Sequence, residues 1–141
     1  MVKIRKFLAK DLEQVLAISR SSFIEPWPQD EFEKYPDGSF VAEDEGKVAG
    51  FVIGKIGRRG ILKLIAVNPA YRDKGVGKSL IDHILKYFKE SGVKEAVARS
   101  RFHNEAGCSF LKSFGFEIVK TIKNYYLDGE DAYLMIKKLD G

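Results

Sequence analysis

Val2 and Ile4, with Lys6 in the same register, alternate with polar neighbours and predict a first strand. The period then lengthens, and Leu12, Val15, Leu16 and Ser19 fall on one face of a helix over 9–22. Pro26-Trp27-Pro28 stops that helix, because proline has no N–H and restricts the residue before it. A short helix over 29–35 and a Pro36-Asp37-Gly38 turn follow. Residues 40–42 and 48–53 read as a hairpin joined through Asp44-Glu45-Gly46-Lys47. Gly57-Arg58-Arg59-Gly60 turns the chain into a buried strand over 62–67, apolar and β-branched, which Pro69 ends by withholding a ladder bond. Leu80, Ile81, Ile84, Leu85 and Phe88 form the stripe of an amphipathic helix that stops near Ser91-Gly92. A strand over 93–100 is then reached by a right-handed crossover, which makes it parallel to 62–67. A helix over 104–113 presents Phe110, Leu111 and Phe114 and ends at Gly115. Residues 116–127 and 132–139, separated by Asp128-Gly129-Glu130-Asp131, predict a closing antiparallel hairpin.

The order β-α-α-β-β-β-α-β-α-β-β predicts an α/β fold of the mixed α+β kind, a central twisted mixed sheet of about seven strands with helices on both faces. With 141 residues, 45% apolar and 31% charged, the expectation is a single domain over 1–141 with its own core. The start of the chain has no long apolar run, so no signal peptide or membrane span is expected, and a cytoplasmic location is. Cys108 has no second cysteine to pair with and reads as a small buried residue on a helix. No Cys/His cluster has metal-ligand spacing, so no metal is expected. The net charge of +4 is modest and dispersed, which favours an anionic ligand or a bystander surface over nucleic acid.

Chemistry concentrates between residues 62 and 80. There a strand runs through Asn68-Pro69-Ala70-Tyr71 into a helix that opens on Gly75 and Gly77. The first turn of a helix has unpaired N–H groups and the positive end of the macrodipole, so it suits a phosphate. The two glycines let an oxygen approach the amides, while Arg72, Lys74 and Lys78 add charge. The spacing is neither that of a P-loop ending in Gly-Lys-Ser nor the Gly-x-Gly-x-x-Gly of dinucleotide folds.

Ile65-Ala66-Val67-Asn68-Pro69 followed by Arg72-Asp73-Lys74-Gly75-Val76-Gly77 resembles the signature of the GNAT superfamily of acyl-CoA-dependent N-acetyltransferases, and the element order resembles that family over nearly the whole chain. The resemblance implies that acetyl-CoA is the cosubstrate. It implies that the loop from Arg72, Asp73, Lys74 and Gly75 through Val76, Gly77, Lys78 and Ser79 holds the coenzyme pyrophosphate, and that Ile65, Ala66 and Val67 pair with the pantetheine arm. Residues 104–116 resemble the second family signature through Asn104, Gly115 and Phe116. Asn104 is then both a helix N-cap and a coenzyme contact. Leu111 stands at the coenzyme-side position where the family usually has a tyrosine proposed to reprotonate the thiolate. Arg99 stands where ribosomal-protein alanine acetyltransferases carry a glutamate thought to be the base, and arginine cannot accept a proton.

Other groups must then handle the amine. Phe23-Ile24-Glu25-Pro26-Trp27 resembles a loop of protein N-terminal acetyltransferases, which implies Glu25 as base or amine anchor and Trp27 beside the substrate; the plain alternative is an exposed loop carboxylate. Asn124-Tyr125-Tyr126 resembles the carboxy-terminal hairpin of the same subgroup, which implies Tyr125 near the chemistry and Tyr126 against the peptide. On a strand only one of two neighbours faces a given cleft. His103 is expected to face solvent.

An α-amino group titrates near ~7.7 to 8.0 and a lysine near ~10.4, so neutralising them at pH 7 costs about 1 and about 4.6 kcal/mol. A site without an evident base therefore leans toward the α-amine. The expected function is acetyl transfer from acetyl-CoA to a protein N-terminal amine by direct attack in a ternary complex, in a monomer or homodimer with no nucleic-acid or membrane partner. Two alternatives stay open, a small-molecule amine such as an amino acid or polyamine as acceptor, and a non-catalytic acyl-CoA-binding sensor.

Overall fold

The computed structural model describes residues 2–139. The chain runs through β1 (Lys3–Lys6), a 3-10 turn (Ala9–Asp11), α1 (Leu12–Ser22), two further 3-10 turns (Gln29–Glu33 and Pro36–Gly38), β2 (Ser39–Asp44), β3 (Lys47–Ile56) and β4 (Gly60–Val67). It continues with a 3-10 turn (Pro69–Tyr71), α2 (Val76–Glu90), β5 (Glu95–Arg101), α3 (Glu105–Ser113), β6 (Glu117–Ile122) and β7 (Ala132–Lys138). The strands form one seven-stranded sheet in the order β1-β2-β3-β4-β5-β7-β6. Its pairing is mixed: β5 runs parallel to β4 with Gly60 opposite Ala96 and Ile61 opposite Val97, and antiparallel to β7 with Arg99 opposite Leu134. The expected fold class holds.

The chain divides into two compact units, one of Met1–Lys55 with Lys63–Tyr87 and the other of Ile56–Leu62 with Phe88–Gly141. In the first, Val15, Leu16, Ile18, Phe32, Val41, Phe51, Ile53 and Ala66 form one buried cluster. Residues 48–54 of β3 are buried without interruption, the mark of a strand covered on both faces. α1 is tied to β1 by charge. The Arg5 guanidinium forks onto Asp11 through Nη1 at 2.7 Å and Nη2 at 2.8 Å, and its Nε donates to Glu43 at 2.7 Å. Asp11 is 2% exposed and also accepts the Leu8 N–H at 2.8 Å. The Arg5 bonds hold its carboxyl below the ordinary range despite burial. That fixture opens the predicted helix as a 3-10 turn before it relaxes into α1.

In the second unit Ala96, Val97 and Ala98 of β5 are buried, as are Cys108, Leu111, Phe116 and Met135. Cys108 is buried on α3, as the sequence suggests. Two elements differ from expectation. The short helix over 29–35 is a 3-10 turn over Gln29–Glu33, because Pro28 and Pro36 leave room for little more than one turn; Glu31 and Lys34 N–H bond three residues back, to Pro28 and Glu31. The strand over 116–127 stops at Ile122, and 123–131 is a loop with Asn124 at φ +53. Among the described residues no helix is long and apolar enough to cross a membrane.

Candidate active site

The coenzyme-side residues of the first unit lie where β4 runs out into α2. Ala66 is buried, while Ile65 and Val67 are partly exposed. Asn68 fastens the corner: its N–H donates to the Ala49 carbonyl of β3 at 2.8 Å, its Oδ1 accepts the Ala70 N–H at 3.0 Å, and its carbonyl accepts the Tyr71 N–H at 2.8 Å. The Tyr71 hydroxyl donates to Asp44 at 2.9 Å, and that carboxylate pushes the phenol above its usual range. Arg72, Asp73, Lys74 and Gly75 are exposed, with Asp73 at φ +62 and Gly75 at φ +79. A Cβ on Gly75 would meet no atom within 4 Å, so the backbone angle rather than crowding demands glycine.

Ser79 N–H bonds to the Gly75 carbonyl at 3.0 Å and closes the first turn of α2. The amides of Val76, Gly77 and Lys78 precede it and have no main-chain acceptor among the described residues. The positive end of the helix dipole thus coincides with an open corner flanked by Arg72 and Lys74. Lys78, counted from the sequence as a third cation, is engaged with Asp82 at 2.8 Å. This donor set suits a diphosphate, which is what the coenzyme would present there.

In the same unit Glu25 is half-buried three residues beyond α1. Trp27 rests against Phe32 and Tyr35, ring centroids 5.3 and 5.8 Å away, and packs on the buried cluster together with Leu64 of β4. Trp27 is therefore first a packing residue, and any contact with substrate would come from its exposed part.

The second unit holds the remaining residues. Asn104 caps α3, its Oδ1 accepting the Gly107 N–H at 2.9 Å. A Cβ at Gly107 would lie 2.5 Å from the Asn104 amide nitrogen, so this glycine keeps the cap in place. Leu111 is 6% exposed and belongs to the interior. Arg99 is exposed on β5. Tyr125 and Tyr126 sit on the 123–131 loop, not on a strand, which removes the alternation argument for them. Their rings meet edge to face at 5.0 Å and 88°, Tyr125 with Arg99 at 5.5 Å from its centroid and Tyr126 with Arg101 at 4.0 Å. Burial pushes the Tyr126 hydroxyl above its usual range, with Arg101 pulling the other way.

Sequence reasoning passed over the groups that shape this loop. Arg101 Nη1 donates to Asp128 at 2.9 Å and to Glu130 at 2.8 Å. Glu130 also accepts the His103 N–H at 2.9 Å and lies 3.1 Å from its Nδ1, so His103, though exposed, is engaged. The Arg101 guanidinium and the His103 amide hold the Glu130 carboxyl below the ordinary range. The signal was present as two arginines two apart on a strand and an acidic run at 128–131. A cavity of about 700 Å³ elsewhere in this unit is lined by Arg58, Arg59, Lys94, Glu95 and Lys138 near the last turn of α2, with Arg59 paired to Glu95 at 3.0 Å; none of the motif residues lines it.

Residues 11–116 match the profile of the Acetyltransferase (GNAT) family. The chain belongs to that family. This GNAT protein is 34% identical to an N-alpha-acetyltransferase of Sulfolobus acidocaldarius over 97% of its own length and 92% of that protein's. Ard1 from Thermoplasma volcanium superposes with a TM-score of 0.92 at 32% identity, covering 99% of each chain. The ribosomal-protein-S18-alanine N-acetyltransferase of Escherichia coli superposes with a TM-score of 0.89 at 28% identity, covering 100% of this chain and 96% of that one. The GNAT chain is thus an N-acetyltransferase whose relatives include enzymes of the N-alpha type. Among its described residues no group of His, Cys, Asp and Glu could hold a metal ion.

Proposed function

We propose that residues 1–141 act as one acetyltransferase domain that moves an acetyl group from acetyl-CoA to the α-amine of a peptide or protein. The observation that carries the reading is the corner at Gly75, where three successive amides of α2 are open beside Arg72 and Lys74. There the coenzyme diphosphate is bound, and Ile65, Ala66 and Val67 offer main-chain groups to its arm. Asn104, whose Oδ1 is committed to the cap, retains its amide N–H groups for the coenzyme.

The neutral amine attacks the thioester carbonyl directly; the C–N bond forms as the C–S bond breaks, and the proton lost from the amine nitrogen passes through water to the departing thiolate. Holding both reactants side by side supplies most of the acceleration, and a β4 amide polarises the carbonyl as charge develops. With arginine at 99 and leucine at 111, no base or acid occupies the family's usual positions. An α-amine, neutral for about 1 kcal/mol at pH 7, tolerates that loss where a lysine would not. In the first unit Glu25 anchors the ammonium as it arrives, with Trp27 as a substrate contact; in the second, Tyr125 and Tyr126 contact the peptide.

The test is thiol release from acetyl-CoA with peptides that differ in their first two residues, beside Nα-blocked lysine peptides, amino acids and polyamines. Turnover of free α-amino peptides above blocked ones is expected. Turnover of metabolite amines alone removes the peptide reading, and coenzyme binding without turnover of any amine replaces the enzyme with a sensor.

A further inference from the structure

Arg99 and Arg101 stand two residues apart on one face of β5, yet their charges are met differently. Arg101 is part-buried, stacked 4.0 Å from the Tyr126 centroid and bonded to both Asp128 and Glu130. Arg99 is exposed, stacked 5.5 Å from the Tyr125 centroid, and has no carboxylate at ion-pair distance among the described residues.

We propose that Arg99 determines specificity by receiving a carboxylate that the acceptor peptide carries in the first few residues after its reacting amine. This rests on the reading that the tyrosine loop flanks the peptide. The loop's own acids are already engaged. Asp128 and Glu130 are held by Arg101, and Asp131 accepts the Asn124 N–H at 2.9 Å and pairs with Lys123 at 3.3 Å. The loop carboxylates are thus committed elsewhere, which leaves the Arg99 guanidinium available to an incoming carboxylate.

The seat of the side chain points the same way. A guanidinium resting on an aromatic face keeps its planar edge for a two-toothed acceptor, and carboxylate is the acceptor that peptides supply. Tyr125 is 46% exposed and braced edge to face by Tyr126, so the platform under Arg99 is accessible and held from behind. The positive charge at Arg99 disfavours a peptide with lysine or arginine near its start and favours one with aspartate or glutamate.

The measurement is the ratio of kcat/KM for peptide pairs with glutamate or glutamine at the second or third residue, in the unaltered protein and in Arg99→Gln, Arg99→Lys and Arg99→Glu. The unaltered protein should favour glutamate by about tenfold, the factor expected for a charge-assisted bond in a partly wet site. Arg99→Gln should abolish the preference, Arg99→Lys should keep part of it, and Arg99→Glu should shift it to lysine-bearing peptides. Because each ratio compares two peptides on one protein, losses of folding or coenzyme affinity cancel. Added salt should shrink the ratio in the unaltered protein. Peptide turnover with no glutamate preference, or with one that survives Arg99→Gln, overturns the inference and leaves the acetyltransferase reading standing. Selection for the α-carboxylate of free amino acids over their amides, without selection among peptides, overturns it too. Absence of turnover on every peptide takes down both readings.

Discussion

The corner between β4 and α2 and the loop between β6 and β7, the two places proposed to receive an incoming group, are built by opposite means. The corner is built of main chain: a positive φ at Gly75, three amides of α2, and Asn68 pinning the turn to Ala49. The loop is built of side chains: two tyrosines on two arginines, and two carboxylates on one of those arginines. A main-chain site accepts any ligand with the right charge and leaves its trace as missing side chains. A side-chain site is selective and can drift residue by residue while its backbone stays put.

The largest expected effect breaks the corner. Gly75→Glu puts a carboxylate into the anion site at φ +79, where a side chain is strained, and should weaken coenzyme A binding more than about a hundredfold by calorimetry. Gly75→Ala should cost about 1–2 kcal/mol, since its Cβ meets nothing within 4 Å and only the φ penalty remains. Unchanged affinity in folded Gly75→Glu protein would refute the placement of the coenzyme.

A middle-sized effect sharpens the contrast. Arg101→Gln removes the cation that holds Asp128 and Glu130 and should raise peptide KM about fivefold while coenzyme affinity stays put. Its pH signature has a definite sign. The folded Glu130 pKa is depressed, so the tie is present above the ordinary glutamate value of ~4.3 and is lost as pH falls through the lower folded value. The gap in melting temperature between Arg101→Gln and the unaltered protein should therefore be open at pH 7 and close in strong acid. The smallest effect concerns Glu25. If it anchors the amine rather than accepting its proton, Glu25→Gln should lower kcat/KM only about threefold between pH 6 and 9, whereas a true base would be worth about a hundredfold or more.

These two regions also explain what could be read without coordinates. The corner was legible from Pro69, Gly75 and Gly77, because glycine spacing at a helix start reports backbone geometry directly. The N-cap at Asn104 and the buried stripe of α2 were legible for similar reasons, being set by neighbours within one or two turns. The 123–131 loop was not. Tyr125 and Tyr126 have strong strand propensity, and only the partners at Arg99 and Arg101, some 26 and 25 residues earlier, show why they leave the strand. Lys78 misled in the same way, since its partner at Asp82 is visible in the sequence but its engagement is not. The 3-10 form of residues 29–33 follows from Pro28 and Pro36, which limit the length of the segment between them.

Asn68 has a last consequence. One residue joins two main-chain bonds and one side-chain bond at the exit of β4, one of them to Ala49 in the run 48–54 over which β3 is buried without a break. The turn that leads into α2 is therefore anchored on β3, so a backbone shift at position 68 would be felt at the strand and at the helix start together.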